Sequence, residues 1–171
     1  MNTNLLFDFS VNKESRTIHV IREFNANLNL VWKAWTTATL LDQWWAPKPY
    51  RTKTKSLDFK VGGMWLYAMI SPENEKHWCK AEYKNIKPLN QISWLDAFCD
   101  ENGKENSDKP RSLWTNNFTE INKITTVNIT LQHEKLSDIE AMIEMGFQQG
   151  FTMGLQNLDE LLKSLSEKTS I

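Results

Sequence analysis

Alternating apolar and polar positions predict a series of strands along this chain, because successive side chains of a strand point to opposite faces of a sheet. The strands are expected over Leu5–Val11, Thr17–Asn25, Thr52–Phe59, Met64–Ile70, His77–Ile86, Gln91–Phe98, Ser112–Glu120 and Ile124–His133. Asn122 lies in the turn of the last predicted hairpin, and the polar stretch 100–110 indicates an exposed loop.

A tryptophan-rich stretch separates the second and third predicted strands. Four of the eight tryptophans fall within Val31–Pro47, and apolar pairs at 40–41 and 44–45 repeat at helical spacing. This pattern predicts two short helices over about Leu28–Ala38 and Thr39–Trp45, ended by the prolines that follow. Because a tryptophan buries about 150–250 Å² and needs a partner for its N–H, this helix pair either forms core or borders a ligand cavity.

One long amphipathic helix is expected after the strands. Ser137–Glu140 has the pattern of a capping box, and the apolar period continues to about Leu165, or roughly 29 residues and about 43 Å. The apolar face carries Ile139, Met142, Ile143, Gly146, Phe147, Gly150, Met153, Gly154, Leu158, Leu161 and Leu165. Strands followed by such a helix predict an α+β fold with an antiparallel sheet.

Three glycines lie at the middle of that apolar face, at Gly146, Gly150 and Gly154. Each is expected to cost about 1 kcal/mol relative to alanine inside a helix. Two explanations remain open. Either the helix backbone approaches a neighbour closely, or the missing side chains leave space for a ligand between helix and sheet.

The predicted strands also supply an aromatic inner wall, which is typical of small-molecule pockets and equally of an ordinary core. Alternation places Trp78 on the opposite face from its neighbour Cys79. Together with residues of the final helix, the candidate ligand-binding set is Trp65, Tyr67, Met69, His77, Tyr83, Trp94, Phe98, Trp114, Asn116, Phe118, Met142, Gly146, Gly150 and Met153.

Several segments resemble one known family. A strand at 19–24 leads into the tryptophan helices, and Gly62–Met69 resembles that family's double-glycine strand. Ala81–Leu89 resembles its G-x-Y-x-x-I-x-P strand, and Gly150–Leu162 its closing helix. On these segments the chain is similar to the START-like (SRPBCC) superfamily, and within it to the single-domain homologues of the heat-shock protein 90 ATPase activator. Ala81, Phe151 and Asn27 depart from the residues usual there, which are glycine, tryptophan and proline.

The resemblance covers roughly residues 17–165 and implies a helix-grip fold, in which a curved antiparallel sheet wraps around a long C-terminal helix. We therefore expect residues 1–171 to form one START-like domain. A superfamily with many functions specifies the fold better than the activity. It leaves three classes open: a binding module for a hydrophobic or amphipathic small molecule, a chaperone-associated protein, and a cavity-based hydrolase or cyclase.

No catalytic constellation can be identified in the sequence. The three histidines are isolated; His19 and His133 are expected at solvated positions. His77 is placed at the outer end of its strand face, and a position in the mouth of a cavity, as an acid–base group, is the alternative left open. Cys79 and Cys99 have no metal-binding spacing, and we expect no disulfide. The sequence therefore predicts no metal and no cofactor, and it favours the binding module over an enzyme.

Composition narrows the classes of partner that we expect this chain to bind. With 20 basic and 21 acidic residues the net charge is −1, which gives no general attraction to nucleic acid or acidic membranes. Arg51, Lys53 and Lys55 form the one dense basic row, expected to be solvated or to contact an anion or protein. Without a signal-peptide pattern a cytoplasmic protein is expected. The expected partner is a hydrophobic small molecule; a chaperone is a weaker candidate, and the chain is expected to be a monomer or homodimer.

Overall fold

The structure is a computed structural model that describes residues 5–169. Within that range the strands are β1 (Phe7–Asn12), β2 (Thr17–Phe24), β3 (Arg51–Leu57), β4 (Met64–Ile70), β5 (Lys76–Lys87), β6 (Gln91–Phe98), β7 (Ser112–Ile121) and β8 (Ile124–Gln132). The helices are α1 (Leu28–Thr36), α2 (Ala38–Trp44), α3 (Leu136–Glu144) and α4 (Phe147–Thr169). The predicted strands are therefore all present, with ends that differ by a few residues at most.

The strands form a single antiparallel sheet in the order β1-β2-β8-β7-β6-β5-β4-β3. Strands β3 to β8 follow one another as a meander, and β8 closes the arrangement by pairing with β2. The sheet curves around α4, which confirms the predicted α+β helix-grip architecture. We call the face that meets the helices the concave face and the other the convex face.

The tryptophan-rich helices form core. Asn27 begins α1, and its Oδ1 accepts a hydrogen bond from the backbone N–H of Leu30 at 2.8 Å. Trp35 and Trp44 are both only 1% exposed, and their rings meet edge to face with centroids 5.0 Å apart. The indole N–H of Trp44 donates to the carbonyl of Ala34 at 2.9 Å. The polar atom of this buried ring is thereby satisfied inside the core.

The final helix is not continuous, and the predicted single helix is wrong at this point. Gly146 has φ +82°, and it separates α3 from α4. A glycine reaches this left-handed conformation without the steric cost of a side chain, so it ends a helix even within an unbroken apolar period. The predicted capping box is also wrong: α3 begins after Lys135, which makes no side-chain cap bond, and Ser137 lies inside the helix.

The other two glycines of α4 face the chain that follows α2. A Cβ on Gly154 would lie 3.1 Å from the carbonyl oxygen of Trp45, whereas one on Gly150 would lie 3.7 Å from Cγ of Pro47. Asn157, one turn further along, donates from Nδ2 to the carbonyl of Ala46 at 3.0 Å. Of the two explanations for the glycines, close backbone approach therefore holds at Gly154.

The predicted double-glycine strand begins with a tight crossing. Gly62 has φ +87°, and a Cβ on Gly63 would clash with the carbonyl oxygen of Asp58. Between them these glycines exchange two backbone hydrogen bonds with Tyr83, of 2.9 and 3.0 Å. The glycine pair thus holds the β3–β4 connection against β5 and positions Tyr83 on the concave face.

The two α4 glycines provide a matched pair of substitutions. Gly150→Ala should raise the free energy of unfolding by about 0.5–1 kcal/mol, because alanine is the better helix former and the added methyl meets only an ordinary contact. Gly154→Ala should gain nothing or lose about 1 kcal/mol, because its methyl presses on a backbone carbonyl. Urea unfolding of both variants measures the difference. Equal stabilisation of both variants would contradict the close approach at Gly154.

Candidate ligand site on the concave face

Strand register places the predicted aromatic wall on one face. Trp65 lies opposite Ala81, Tyr83 opposite Trp94, and Trp94 opposite Trp114. Buried residues of this face are Trp65, Tyr67, Tyr83, Trp94, Trp114, Asn116 and Phe118. Trp78 lies on the convex face and is only half-buried. The predicted alternation of these side chains is therefore confirmed.

Aromatic rings fill the interior between this wall and the helices. Trp45 lies at the centre, with ring centroids 5.3 Å from Trp65 and 5.6 Å from Trp114. From α4, Phe147 and Phe151 stack on each other and meet Trp114 at 6.0 and 5.2 Å. A ligand between helix and sheet would therefore have to displace ring contacts.

Two surface pockets lie outside this interior. The larger, of about 850 Å³, opens on the convex face, where its lining includes Arg16, Lys84 and Arg111. The smaller, of about 380 Å³, lies beside α3 and is lined by Lys13, Glu140, Ile143 and Glu144. Neither contains a residue of the predicted site.

The four candidates on the final helices lie in different environments. Met142 is buried on α3, and Gly146 forms the helix break. Gly150 faces Pro47 rather than the sheet. Met153 is 38% exposed, so the expectation that it faces the interior is wrong. The break at Gly146 explains this. The helical period does not continue from α3 into α4, so residues of α4 face other directions than a single helix would give them.

One end of the concave face is partly open. Met69 and Phe98 are half-buried there, whereas neighbouring wall positions are buried. His77 lies at this rim with its side chain 53% exposed, 4.0 Å from the carboxylate of Glu75. Its ring also meets that of Tyr50, with centroids 6.3 Å apart. His77 therefore lies at the rim of the concave face, and its place at the mouth of a ligand cavity stays a prediction.

Asp96 is the side chain that sequence reasoning missed. It lies opposite Ala81 and Ser112 on the concave face, between Trp94 and Phe98 in the alternation of β6. Burial raises the pKa of its carboxyl to about 7, although the indole of Trp114 and the amide of Ala97 act to lower it. The period-two pattern Trp94-x-Asp96-x-Phe98 was the available signal, since it places an acid on an aromatic face.

Asp96 has neutral neighbours. Burial, followed by the charge of Asp96, raises the pKa of both Tyr67 and Cys79, so both remain protonated at neutral pH. Tyr67 Oη also accepts a hydrogen bond from the indole N–H of Trp45 at 3.1 Å. Within residues 5–169, no lysine, arginine or histidine forms an ion pair with Asp96.

Three buried polar atoms among the aromatic rings have no hydrogen-bond partner in the described part of the chain. They are Nε1 of Trp35, Nε1 of Trp114 and Oδ1 of Asn116. Two more atoms on this side of the sheet also lack one, Oγ1 of Thr52 on the edge strand and Nδ1 of His133 beside Ser112. The indole of Trp114 is close enough to Asp96 to lower its pKa, but it does not reach hydrogen-bond geometry. An unsatisfied buried group costs about 1–3 kcal/mol. Among the rings, two donors and one acceptor therefore remain for polar atoms from outside the chain.

A serine and a histidine meet at the same end of the sheet. Ser112 Oγ and His133 Nε2 are 2.8 Å apart, but they are only 2% and 1% exposed. The expectation that His133 is solvated is therefore wrong, because its ring packs against Ser112 of β7 and its backbone N–H continues the pairing with the chain at Arg16. Burial lowers its pKa, although Arg16 and Asp138 act to raise it. Neither atom can be reached by a substrate in this arrangement, which gives the hydrolase alternative no support.

Other chemistry is sparse in the described part of the chain. No group of three or more histidine, cysteine, aspartate or glutamate residues is arranged to hold a metal ion within residues 5–169. Cys79 and Cys99 are free thiols. Among the described helices, none is long and apolar enough to span a membrane.

Comparison with known proteins identifies the family. The family model described as "Activator of Hsp90 ATPase homolog 1-like protein" matches residues 25–163. The chain belongs to this family. No curated protein matches the chain. The family assignment agrees with the resemblance inferred from the double-glycine strand and the closing helix.

Solved structures of bacterial proteins share the fold. A protein from Arthrobacter aurescens is 23% identical with a TM-score of 0.87, and the match covers 92% of this chain and 91% of that one. A Mycobacterium smegmatis protein, Ms6760, is 24% identical with a TM-score of 0.84, covering 92% and 96%. A Staphylococcus epidermidis protein is 28% identical with a TM-score of 0.79, covering 91% and 94%.

The raised pKa of Asp96 predicts a pH-dependent stability. The native state holds the proton to about pH 7, whereas an unfolded aspartate releases it near pH 4. The group therefore lowers the free energy of unfolding progressively as pH rises from about 4 to about 7. Asp96→Asn should be more stable than wild type by about 1–3 kcal/mol at pH 8, and this gain should vanish near pH 4.

Urea unfolding between pH 4 and pH 8 measures this gain. Asp108→Asn, which removes an exposed loop carboxylate, is the matched control and should show no such trend. A constant difference between Asp96→Asn and wild type across the whole range would contradict the raised pKa of Asp96.

Proposed function

We propose that this protein binds a hydrophobic or amphipathic small molecule between α4 and the concave face of the sheet. The observation that carries the proposal is the trio of unpartnered buried polar atoms on Trp35, Trp114 and Asn116, within an otherwise aromatic interior. Small-molecule sites combine a mainly apolar lining with a few convergent polar groups. A bound molecule would supply the acceptor and donor atoms that the protein lacks there.

The helix break supports a route for entry. Phe147 and Phe151 stand on the first turns of α4, directly after the glycine at which the helix direction changes. Each aromatic pair contributes about 0.5–1.5 kcal/mol beyond the area that it buries. A ligand could therefore replace the contacts that these two rings make with Trp114 at little net cost in free energy. The half-buried Met69 and Phe98 border the open end through which the ligand would pass.

Dye binding tests this proposal. We expect the neutral apolar probe N-phenyl-1-naphthylamine to bind the protein and to quench tryptophan emission. Trp114→Phe should weaken the probe's affinity about three- to tenfold, because it alters both the ring contacts and the free N–H of the wall. Trp78→Phe is the matched control, since Trp78 lies on the convex face. Equal loss of affinity in the two variants would contradict a site on the concave face.

Native mass spectrometry of the freshly purified protein complements the dye. We expect an additional mass from a co-purifying small molecule, reduced in Trp114→Phe and retained in Trp78→Phe.

A chaperone-associated function is the second candidate, and the observation in its favour is the family's description. The surface that would suit an acidic partner is the row of Arg51, Lys53 and Lys55 on edge strand β3, where all three residues are exposed. Stable protein interfaces bury about 1,200–2,000 Å², which is more than one short strand provides. This candidate therefore ranks below ligand binding.

A chaperone ATPase assay at low and at physiological salt tests this ranking. We expect no strong stimulation by this chain at physiological salt, because exposed charge contacts are screened there. Stimulation that persists at physiological salt and disappears in the Arg51/Lys53/Lys55 triple alanine variant would instead place the chaperone function first.

A further inference from the structure

Two carboxylates lie among the inward-facing positions of the central strands. In the described part of β4 to β7, the residues that point to the concave face are Trp65, Tyr67, Met69, His77, Cys79, Ala81, Tyr83, Ile86, Ile92, Trp94, Asp96, Phe98, Ser112, Trp114, Asn116, Phe118 and Glu120. Glu120 is exposed near the C-terminal end of β7, where its Oε1 accepts a hydrogen bond from the backbone N–H of Leu28 at 2.6 Å. Among the described residues, Asp96 is therefore the acid that lies within the aromatic part of this wall.

The described surroundings of Asp96 supply no opposite charge. Its neighbours Tyr67 and Cys79 are neutral, and the two groups that lower its pKa, the indole of Trp114 and the backbone amide of Ala97, are uncharged. On the helix side, Phe147 and Phe151 cover Trp114 with apolar rings. A partly buried carboxylate without an oppositely charged partner destabilises a fold. A cationic partner from outside the chain would remove that cost.

Aromatic faces beside a carboxylate are a suitable environment for an ammonium group. A cation over an indole or phenyl ring is attracted by the electrons of the ring, and the carboxylate supplies the opposite charge. The end of the concave face that carries Met69 and Phe98 is partly open, and Asp96 itself is only half-buried. An elongated molecule could thus place its apolar part among the rings and its cationic part at Asp96.

We propose that Asp96 receives the ammonium group of the bound molecule, so that the ligand class of this protein is amphipathic amines. The inference rests on the proposed ligand-binding function and adds the chemical class of the ligand. Trp114 then contributes a ring face to the cation, and its N–H remains available for a second polar atom of the ligand.

The charges that face Asp96 determine how binding should depend on pH. Tyr67 on β4 and Cys79 on β5 stay protonated, and burial raises the pKa of Cys99, beyond β6, to about 11. Beyond β8, burial lowers the pKa of His133. The buried residues of α3 and α4 are apolar apart from Asn157. Burial also raises the pKa of Tyr83 on the same wall, and Glu120 lies near the C-terminal end of β7, at the start of α1. His77 and its neighbour Glu75 lie at the rim, and His77→Gln separates the effect of the imidazole from that of Asp96.

Three probes of one shape test the proposal by isothermal titration calorimetry. They are 2-(1-naphthyl)ethylamine as the cation, 2-(1-naphthyl)ethanol as the neutral analogue, and 1-naphthaleneacetate as the anion. At pH 8 the wild-type protein should bind the amine about tenfold or more tightly than the alcohol. This preference should shrink to about threefold or less at pH 5.5, where Asp96 is protonated, and it should persist in His77→Gln.

Asp96→Asn should bind amine and alcohol equally while keeping its affinity for the alcohol. Glu82→Gln is the matched control, because that carboxylate lies on the convex face beside Lys80 at 2.9 Å, and it should leave the preference intact. Carbon-detected NMR of the Asp96 carboxyl gives a readout that needs no variant. Saturating amine should lower its pKa, and the alcohol should not.

The outcomes separate the two proposals. Equal affinity for amine and alcohol in the wild-type protein would overturn the role of Asp96 and leave ligand binding standing. A preference that survives in Asp96→Asn, tightest binding of the anion, or an Asp96 pKa unmoved by the amine would likewise overturn it. Failure of all three probes to bind would contradict both proposals.

Discussion

The structure depends on the packing of one tryptophan, Trp45, at the point where α2, α4 and the sheet meet. Its ring contacts Trp35, Trp44, Trp65, Tyr67, Trp94, Trp114 and Phe151. Its N–H donates to Tyr67, and its backbone carbonyl lies against Gly154 of α4. A side chain at position 154 would push α4 away from α2, and with it the helix that covers the concave face. One ring and one glycine thus determine how closely the helix approaches the sheet.

The same packing leaves buried polar atoms without hydrogen-bond partners in the described part of the chain, and the functional proposals rest on those atoms. Large aromatic residues fill the interior efficiently, but each indole brings an N–H that has to find an acceptor. Trp44, Trp45 and Trp65 find theirs in Ala34, Tyr67 and Thr54. Trp35 and Trp114 do not, and neither does the side-chain oxygen of Asn116. A core selected only for stability would gain from replacing these groups by apolar ones of the same shape. Their presence is more easily explained if an exogenous molecule pairs with them.

Asp96 is a further polar group of this interior, and within residues 5–169 it has no oppositely charged partner. An acid on an aromatic face costs stability whenever it is ionised, and burial has already shifted its pKa toward neutrality. Perturbed titratable groups of this kind concentrate at functional sites, because function is what offsets their cost. By contrast, Ser112 and His133 share a buried hydrogen bond at the end of the sheet. Both features lie on the same wall, yet Asp96 has no ion-pair partner among the described residues.

Much of this arrangement could be predicted from the sequence. The period of two along Met64–Ile70 and Gln91–Phe98 determined which side chains share a face, since a strand has no other way to orient them. The spacing of apolar pairs near Trp44 determined two short helices, and the double glycine marked a crossing that excludes a Cβ. Asp96 could have been placed on the inner face by the same alternation, but its lack of a partner could not.

Tertiary structure alone decided the rest, because the deciding contacts join residues far apart in the chain. The periodicity across Gly146 is unbroken, and only the positive φ of that residue ends α3 and turns Met153 to solvent. Whether the glycines of α4 made room or allowed contact depended on the carbonyl of Trp45, which is distant in sequence. Likewise, His133 is buried because it lies beside Ser112 on the adjacent strand, about twenty positions earlier in the chain. Local sequence determines the direction of each side chain, whereas the neighbours that it meets depend on how the sheet closes around α4.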